Sequence, residues 1–156
     1  MAATVPTGFD PAPKHLGTVL SFTAGGTILA AQIVGFASTG VSETVVPSTT
    51  ATGSPVGVAL YGATAGQKVA VAGNGSVVKV ELSADDATAD AGDFLGLSAV
   101  AGCAAVQDGA IAAHNSEAAG QFPIGQVIED IAAGASTVGG RGYVLINITP
   151  IWTASS

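Results

Sequence analysis

The side chains of this 156-residue chain that could begin a reaction are few: two histidines, one cysteine and a run of aspartates. His15 and His114 could each serve a Ser-His-Asp relay, but such a relay needs a nucleophile on a sharp strand-to-helix turn. No Gly-x-Ser-x-Gly elbow occurs. Gly73-Asn74-Gly75 opens neither a dinucleotide fingerprint nor a Walker-type phosphate loop. Asp85, Asp86, Asp90 and Asp93 invite a calcium reading. They lack the alternating ligand spacing, the central glycine and the terminal glutamate of an EF-hand, so a solvated acidic turn is the better reading. Glu129-Asp130 is an acidic pair in a loop between strands. Cys103 stands alone, with no zinc-ligand spacing and no disulfide partner in the chain, and its Ala-Gly and Ala-Ala neighbours suit a small buried residue. The sequence offers no catalytic residue, no metal site and no cofactor site, and it reads as a protein that is not an enzyme. A small β-barrel hydrolase built on His114 is the remaining catalytic alternative.

The elements that would position these groups are strands and turns. With Gly 22, a charged fraction of 10% and an aromatic fraction of 5%, the chain is made of Ala, Gly, Val, Thr and Ser. Such a composition predicts an all-β protein with at most one or two short helices. A core of small side chains gains little per residue at about 25 cal/mol per Å² of buried apolar surface, which favours an oligomer that buries more between subunits. A formal net charge of −7, from 11 acidic and 4 basic residues, argues against nucleic acid as a partner, because Lys14, Lys68, Lys79 and Arg141 are scattered along the sequence. Residues 16–42 carry no charge. Gly17, Gly25, Gly26, Gly35 and Gly40 interrupt them, so neither a membrane span nor a signal peptide is expected.

Residues 1–15, with three prolines, read as an extended N-terminal arm, and residues 16–156 as one β-rich domain. Strands are expected at 17–23, 27–36 and 44–46. Next comes a three-strand meander over residues 55–82, with a turn at Ala65-Gly66 and a tight hairpin at Asn74-Gly75. Ser83 begins a weak capping box that allows one or two helical turns. Further strands are expected at 94–97 and 104–106. Then Pro123-Ile124-Gly125 leads to Ala133-Gly134, as Pro55-Val56-Gly57 leads to Ala65-Gly66. The matched segments 55–82 and 123–148 predict an internal repeat, with 76–82 and 142–148 as corresponding strands and both copies packed into one small barrel or sandwich. Asn74-Gly75-Ser76 and Asn147-Ile148-Thr149 match the glycosylation pattern but are better explained by a turn and a strand.

The run GSPVGVALYGATAGQKVAVAGNGSVVKV, followed by AGDFLGLS, AAVQDG and PIGQVIEDIAAG, resembles the capsid decoration, or cement, proteins of tailed viruses. The likeness covers residues 53–148 and extends to the architecture of the head-decoration protein of phage lambda. It implies a small β-barrel or β-tulip domain that forms a homotrimer. The trimer would bind the major capsid protein on the outer surface of the expanded head, after synthesis in the host cytoplasm, and hold the shell against internal DNA pressure. It also implies a capsid-binding arm, with Val5, Phe9, Pro11, Pro13 and Leu16 as its contact residues, while turn chemistry and the repeat mark Gly66, Asn74, Gly75 and Gly134 as structural turns. The resemblance implies no nucleic-acid contact and no membrane. The alternative is a head-fibre or host-attachment module that binds glycans, with Trp152 and Tyr143 as the aromatic candidates.

Overall fold

The computed structural model describes residues 12–37, 43–49, 54–83, 88–107, 123–132 and 140–148. They form strands β1 (Val19–Ala24), β2 (Ile33–Phe36), β3 (Thr44–Pro47), β4 (Pro55–Ala59), β5 (Lys68–Ala72), β6 (Val77–Glu81), β7 (Phe94–Leu97), β8 (Ala104–Val106), β9 (Pro123–Val127) and β10 (Arg141–Ile146). No helix occurs among the described residues, so the protein is all-β. The strands are short and rich in Val, Ile and Ala, and their side chains alternate between core and surface. In β6, for example, Val78 and Val80 are buried while Val77, Lys79 and Glu81 are half-buried.

Two units of five strands result. The first closes into a barrel in the order β1-β3-β2-β4-β5, and the second runs β6-β10-β9-β7-β8. Numbered within its own unit, the second order is the cyclic order of the first read in the opposite direction. The edges β6 and β8 meet in a parallel bridge, Leu82 to Ala104, where β1 and β3 pair in parallel at Ala24 and Val45. The ladders agree residue by residue. Val34 faces Gly57 and Gly35 faces Pro55 across a bulge, as Leu95 faces Gly125 and Gly96 faces Pro123. Turn bonds agree too. Ala31 N donates to Ala59 O over 2.9 Å, and Gly92 N to Val127 O over 2.8 Å. Gln32 Oε1 accepts from Leu29 N, and Asp93 Oδ2 from Asp90 N, both at 2.9 Å, so the same cap is made with different side chains.

The Pro-aliphatic-Gly motif is explained by this geometry. A Cβ on Gly57 would fall inside the contact radius of Ala72 O in β5, and one on Gly125 would collide with Leu145 O in β10. The central strand of each unit lies so close to its neighbour that only glycine fits there.

The two units share a core. The interior of the second unit (Val78, Val80, Leu82, Leu95, Ile124, Ile131, Val144 and Ile146) joins one buried cluster with Ile33, Val58, Leu60 and Ala72 of the first. The interior of the first (Phe22, Ala24, Ile28, Val34, Val45, Val69 and Val71) forms its own cluster.

Three expectations need correction. Asn74-Gly75 is not a hairpin turn, because β5 pairs with β1 and β4 while β6 pairs with β10. The turn carries the chain from one unit to the other, so residues 55–82 are a β4–β5 pair plus the first strand of the next unit. The strand that corresponds to β10 is accordingly β5 rather than 76–82. Residues 27–36 are also not one strand. Ile28 bridges Ala63, Ala31 turns the chain at φ 70°, and β2 starts only at Ile33. The helical turns expected after Ser83 fall outside the described residues.

Candidate binding surfaces

The described end of the segment read as an N-terminal arm, residues 12–15, lies against its own chain. Lys14 N and His15 N both donate to Val77 O, and Val77 N donates to His15 O over 2.8 Å, so residues 14–15 add to the edge of β6. Gly17 N then donates to the buried Ser76 Oγ at 2.9 Å, and Thr18 N to Asn74 O at 3.3 Å. Asn74 holds the end of β10 as well, because Ile148 N donates to its Oδ1 at 2.7 Å and its Nδ2 donates to Ile148 O at 3.0 Å. The turn residues therefore tie three segments together: the arm root, the crossing between units and the chain beyond β10. Gly75, at φ 84°, supplies the left-handed backbone this crossing needs.

Of the proposed capsid-contact residues, Val5, Phe9 and Pro11 lie outside the described residues. Pro13 is half-buried, and Leu16 is exposed just beyond the paired His15. Strand addition by residues 14–15 is already satisfied in cis, so their backbone is not left over to add a strand to a partner. Among the turn residues, Gly66 closes β4 to β5 at φ 85° with its N–H on Ala24 O, and Gly134 lies outside the described residues.

One surface group was not visible in the sequence. Lys79 and Tyr143 are cross-strand partners on β6 and β10, and Arg141 faces Glu81 two places along. Lys14 Nζ sits 4.4 Å above the Tyr143 ring and forms an ion pair with Glu129, while Lys79 Nζ lies 5.4 Å from the same ring. Tyr143 OH donates to Ala12 O over 3.0 Å. Arg141 Nη2 donates to Glu81 Oε2 at 3.0 Å. Three of the four basic residues are thus gathered on one sheet, where two are neutralised by carboxylates. The signal was the polar face of β6, but only the β6–β10 register brings Tyr143 to it.

The remaining groups are structural. Asp93 caps its own turn and Asp130 Oδ1 accepts from Ala91 N at 2.8 Å, and no group of three or more His, Cys, Asp or Glu that could hold a metal occurs among the described residues. Asp85, Asp86, His114 and Trp152 lie outside them. Cys103 is buried, and burial, reinforced by the nearby Glu81 charge against a smaller opposing effect of Arg141, pushes its thiol up to about 11. It is a neutral packing residue. No helix among the described residues is long and apolar enough to cross a membrane.

No protein-family model matches this chain, and no curated protein matches it.

Proposed function

We propose that this chain is a structural virion protein, a capsid decoration (cement) protein that binds the outer surface of an expanded head and stabilises it. One observation carries the reading. The segments that resemble the cement family, around Pro55-Val56-Gly57 and Pro123-Ile124-Gly125, are the glycine-locked central strands of a duplicated all-β body. Residues 14–18, which follow the proposed arm, are hydrogen-bonded to that body. A staple against internal pressure needs a stiff scaffold and a tethered arm, and these strands provide the stiffness through close backbone approach.

In this reading the major capsid protein is the partner, the protein acts as a homotrimer, and residues before Ala12, with Val5, Phe9 and Pro11, reach the capsid. The β-tulip name of the family belongs to the same proposal. The glycan-binding alternative gains nothing from Tyr143, whose ring faces two lysines and whose hydroxyl is bonded to Ala12 O. The test is co-sedimentation with expanded capsids and the temperature at which those capsids release DNA. Full-length protein should bind and raise that temperature. Deleting residues 2–11 should leave the fold intact and weaken binding at least about tenfold, a loss of about 1.4 kcal/mol. Full-length protein that leaves the capsids bare overturns the function, and a deletion without effect overturns the role of the arm.

A further inference from the structure

Asn74-Gly75 is the only Asn-Gly pair in the chain, and the pair has a chemistry of its own. The main-chain nitrogen of the residue after an asparagine can attack the side-chain carbonyl carbon, and glycine, with no Cβ in the way, hinders that attack least. The new N–Cγ bond closes a succinimide ring. The Cγ–Nδ2 bond breaks, and the amide nitrogen leaves as ammonia, with a proton taken from water in place of the one the glycine nitrogen gave up. Water then adds to either ring carbonyl and leaves aspartate or isoaspartate. The reaction needs no oxidant, metal or second protein. Asn147 is followed by the β-branched Ile148, which hinders the same approach.

In the folded chain both reacting groups of Asn74-Gly75 are engaged. Asn74 Oδ1 accepts from Ile148 N at 2.7 Å, and Nδ2 donates to Ile148 O at 3.0 Å. The nucleophile is held as well, since Gly75 N donates to Ile146 O at 3.0 Å. Ile146 N returns a bond to Ser76 O at 2.9 Å, and Ser76 N donates to Gly73 O at 3.2 Å, so the main chain around the pair is fixed. Turning the side chain onto Gly75 N breaks both bonds to Ile148, and freeing that nitrogen breaks a third. Both residues are nonetheless exposed, so water and base reach them as soon as these bonds open. Protection comes from pairing with the end of β10, not from burial.

We propose that Asn74-Gly75 is a spontaneous modification site, a deamidation site held closed by Ile146 and Ile148. It works in one direction. A carboxylate at this position has no Nδ2 hydrogen to offer Ile148 O, and an isoaspartate lengthens the main chain by a methylene where Thr18 N meets Asn74 O and Gly75 N meets β10. A modified chain therefore loses the tie between the arm root, the crossing and the end of β10. The site records how long that end has been undocked. The inference does not rest on the capsid reading and is tested without capsids.

The experiment incubates full-length protein at mildly alkaline pH and follows the tryptic peptide between Lys68 and Lys79, in which Asn74 is the only asparagine, by mass spectrometry. Folded wild type should deamidate at least about tenfold more slowly than the same chain unfolded in guanidinium. Ile148→Pro, which removes the N–H that Asn74 Oδ1 accepts, should deamidate about fivefold faster than wild type while circular dichroism shows it folded. Ile148→Val, which keeps both main-chain groups, should match wild type. The modified chains, separated by ion exchange on their added negative charge, should melt at a lower temperature than the unmodified ones. Equal rates in folded and unfolded wild type, or a folded proline variant as protected as wild type, overturns the proposal; the first comparison decides even where the proline variant fails to fold. Unchanged melting of the modified chains overturns the loss of the tie.

Discussion

In the first unit, β1 and β3 close on each other directly. Thr23 N reaches Glu43 O at 2.7 Å and Gly25 N reaches Val45 O at 2.8 Å. In the second unit only the bond equivalent to the latter survives, Ser83 N to Ala104 O at 2.8 Å, and residues 31–33 of the first unit occupy the rest of the gap. The scaffold is the same and the closure differs, because residues 31–33 enter the seam between β6 and β8 while, among the described residues, β1 and β3 close theirs by themselves. Side chains follow the same division. Where the first unit is covered it carries Ile33, Val58 and Leu60, while the second carries Phe94, Gln126 and Ile128 at the matching positions. Gln126 also donates from Nε2 to Gly92 O at 3.0 Å, the counterpart of the carbonyl through which Ala31 accepts Glu81 N. Burial at these positions is thus decided by what docks, not by the ladder.

Substitutions at matching positions can break or sharpen this comparison. The largest contrast is expected between Leu60→Ala and Ile128→Ala. The first should cost about 2–5 kcal/mol in denaturant unfolding, as a cavity in a shared core does. The second, read on dilute monomer, should stay within about 0.5 kcal/mol of wild type. Equal effects would mean that the units are not joined as described. Gly57→Ala and Gly125→Ala should each cost about 1–3 kcal/mol by forcing a methyl against a carbonyl, and the two losses should be similar. A loss in only one of them would make the motif a local accident instead of a shared device. Asn74→Ala removes two exposed hydrogen bonds to Ile148 and should cost about 1 kcal/mol by thermal melting, with a sequence counterpart in neither unit to compensate.

A pH-dependent effect concerns Cys103, whose counterpart in the first unit is Thr44. Its folded thiol titrates near 11, from an ordinary value of 9.0. The folded state therefore holds its proton after the unfolded state has released it, so stability is unaffected below pH 9 and falls as pH rises from about 9 toward 11. Urea unfolding of wild type and Cys103→Ala at pH 8 and pH 10.5 should show the wild type losing more between the two. Parallel losses would place the thiol in contact with water.

The strands themselves were legible in the sequence. Alternation in Val77-Val78-Lys79-Val80-Glu81 and the small residues around each glycine marked where they lie, and 94–97 and 104–106 were read to the residue. Their partners were not. Asn74-Gly75 has hairpin chemistry, but local preference fixes only the backbone angles of two residues, while pairing is decided by ladders to β1 and β10 whose partners lie 45 to 68 positions apart along the chain. The repeat was visible at Pro-aliphatic-Gly, where the same steric demand recurs. It was invisible between β1 and β6, where Phe22 and Val80 fill the same place with different volumes. The candidate surfaces suffered most, because Tyr143 meets Lys14 and Lys79 only through tertiary structure. The exposure of Ile128 acquires meaning only beside the burial of Leu60.

The crossing at Asn74-Gly75 has one more consequence. All ladders between named strands lie wholly before it or wholly after it, and His15–Val77 is a bridge between the arm root and the second unit. A chain divided at that turn would yield two fragments, each with its full set of strands. The larger apolar debt falls on the first, whose Ile33, Val58 and Leu60 would be bare. Such fragments are suited to complementation: mixed, they should re-form one body through the shared cluster and the seam, so the turn is a natural site for a split reporter.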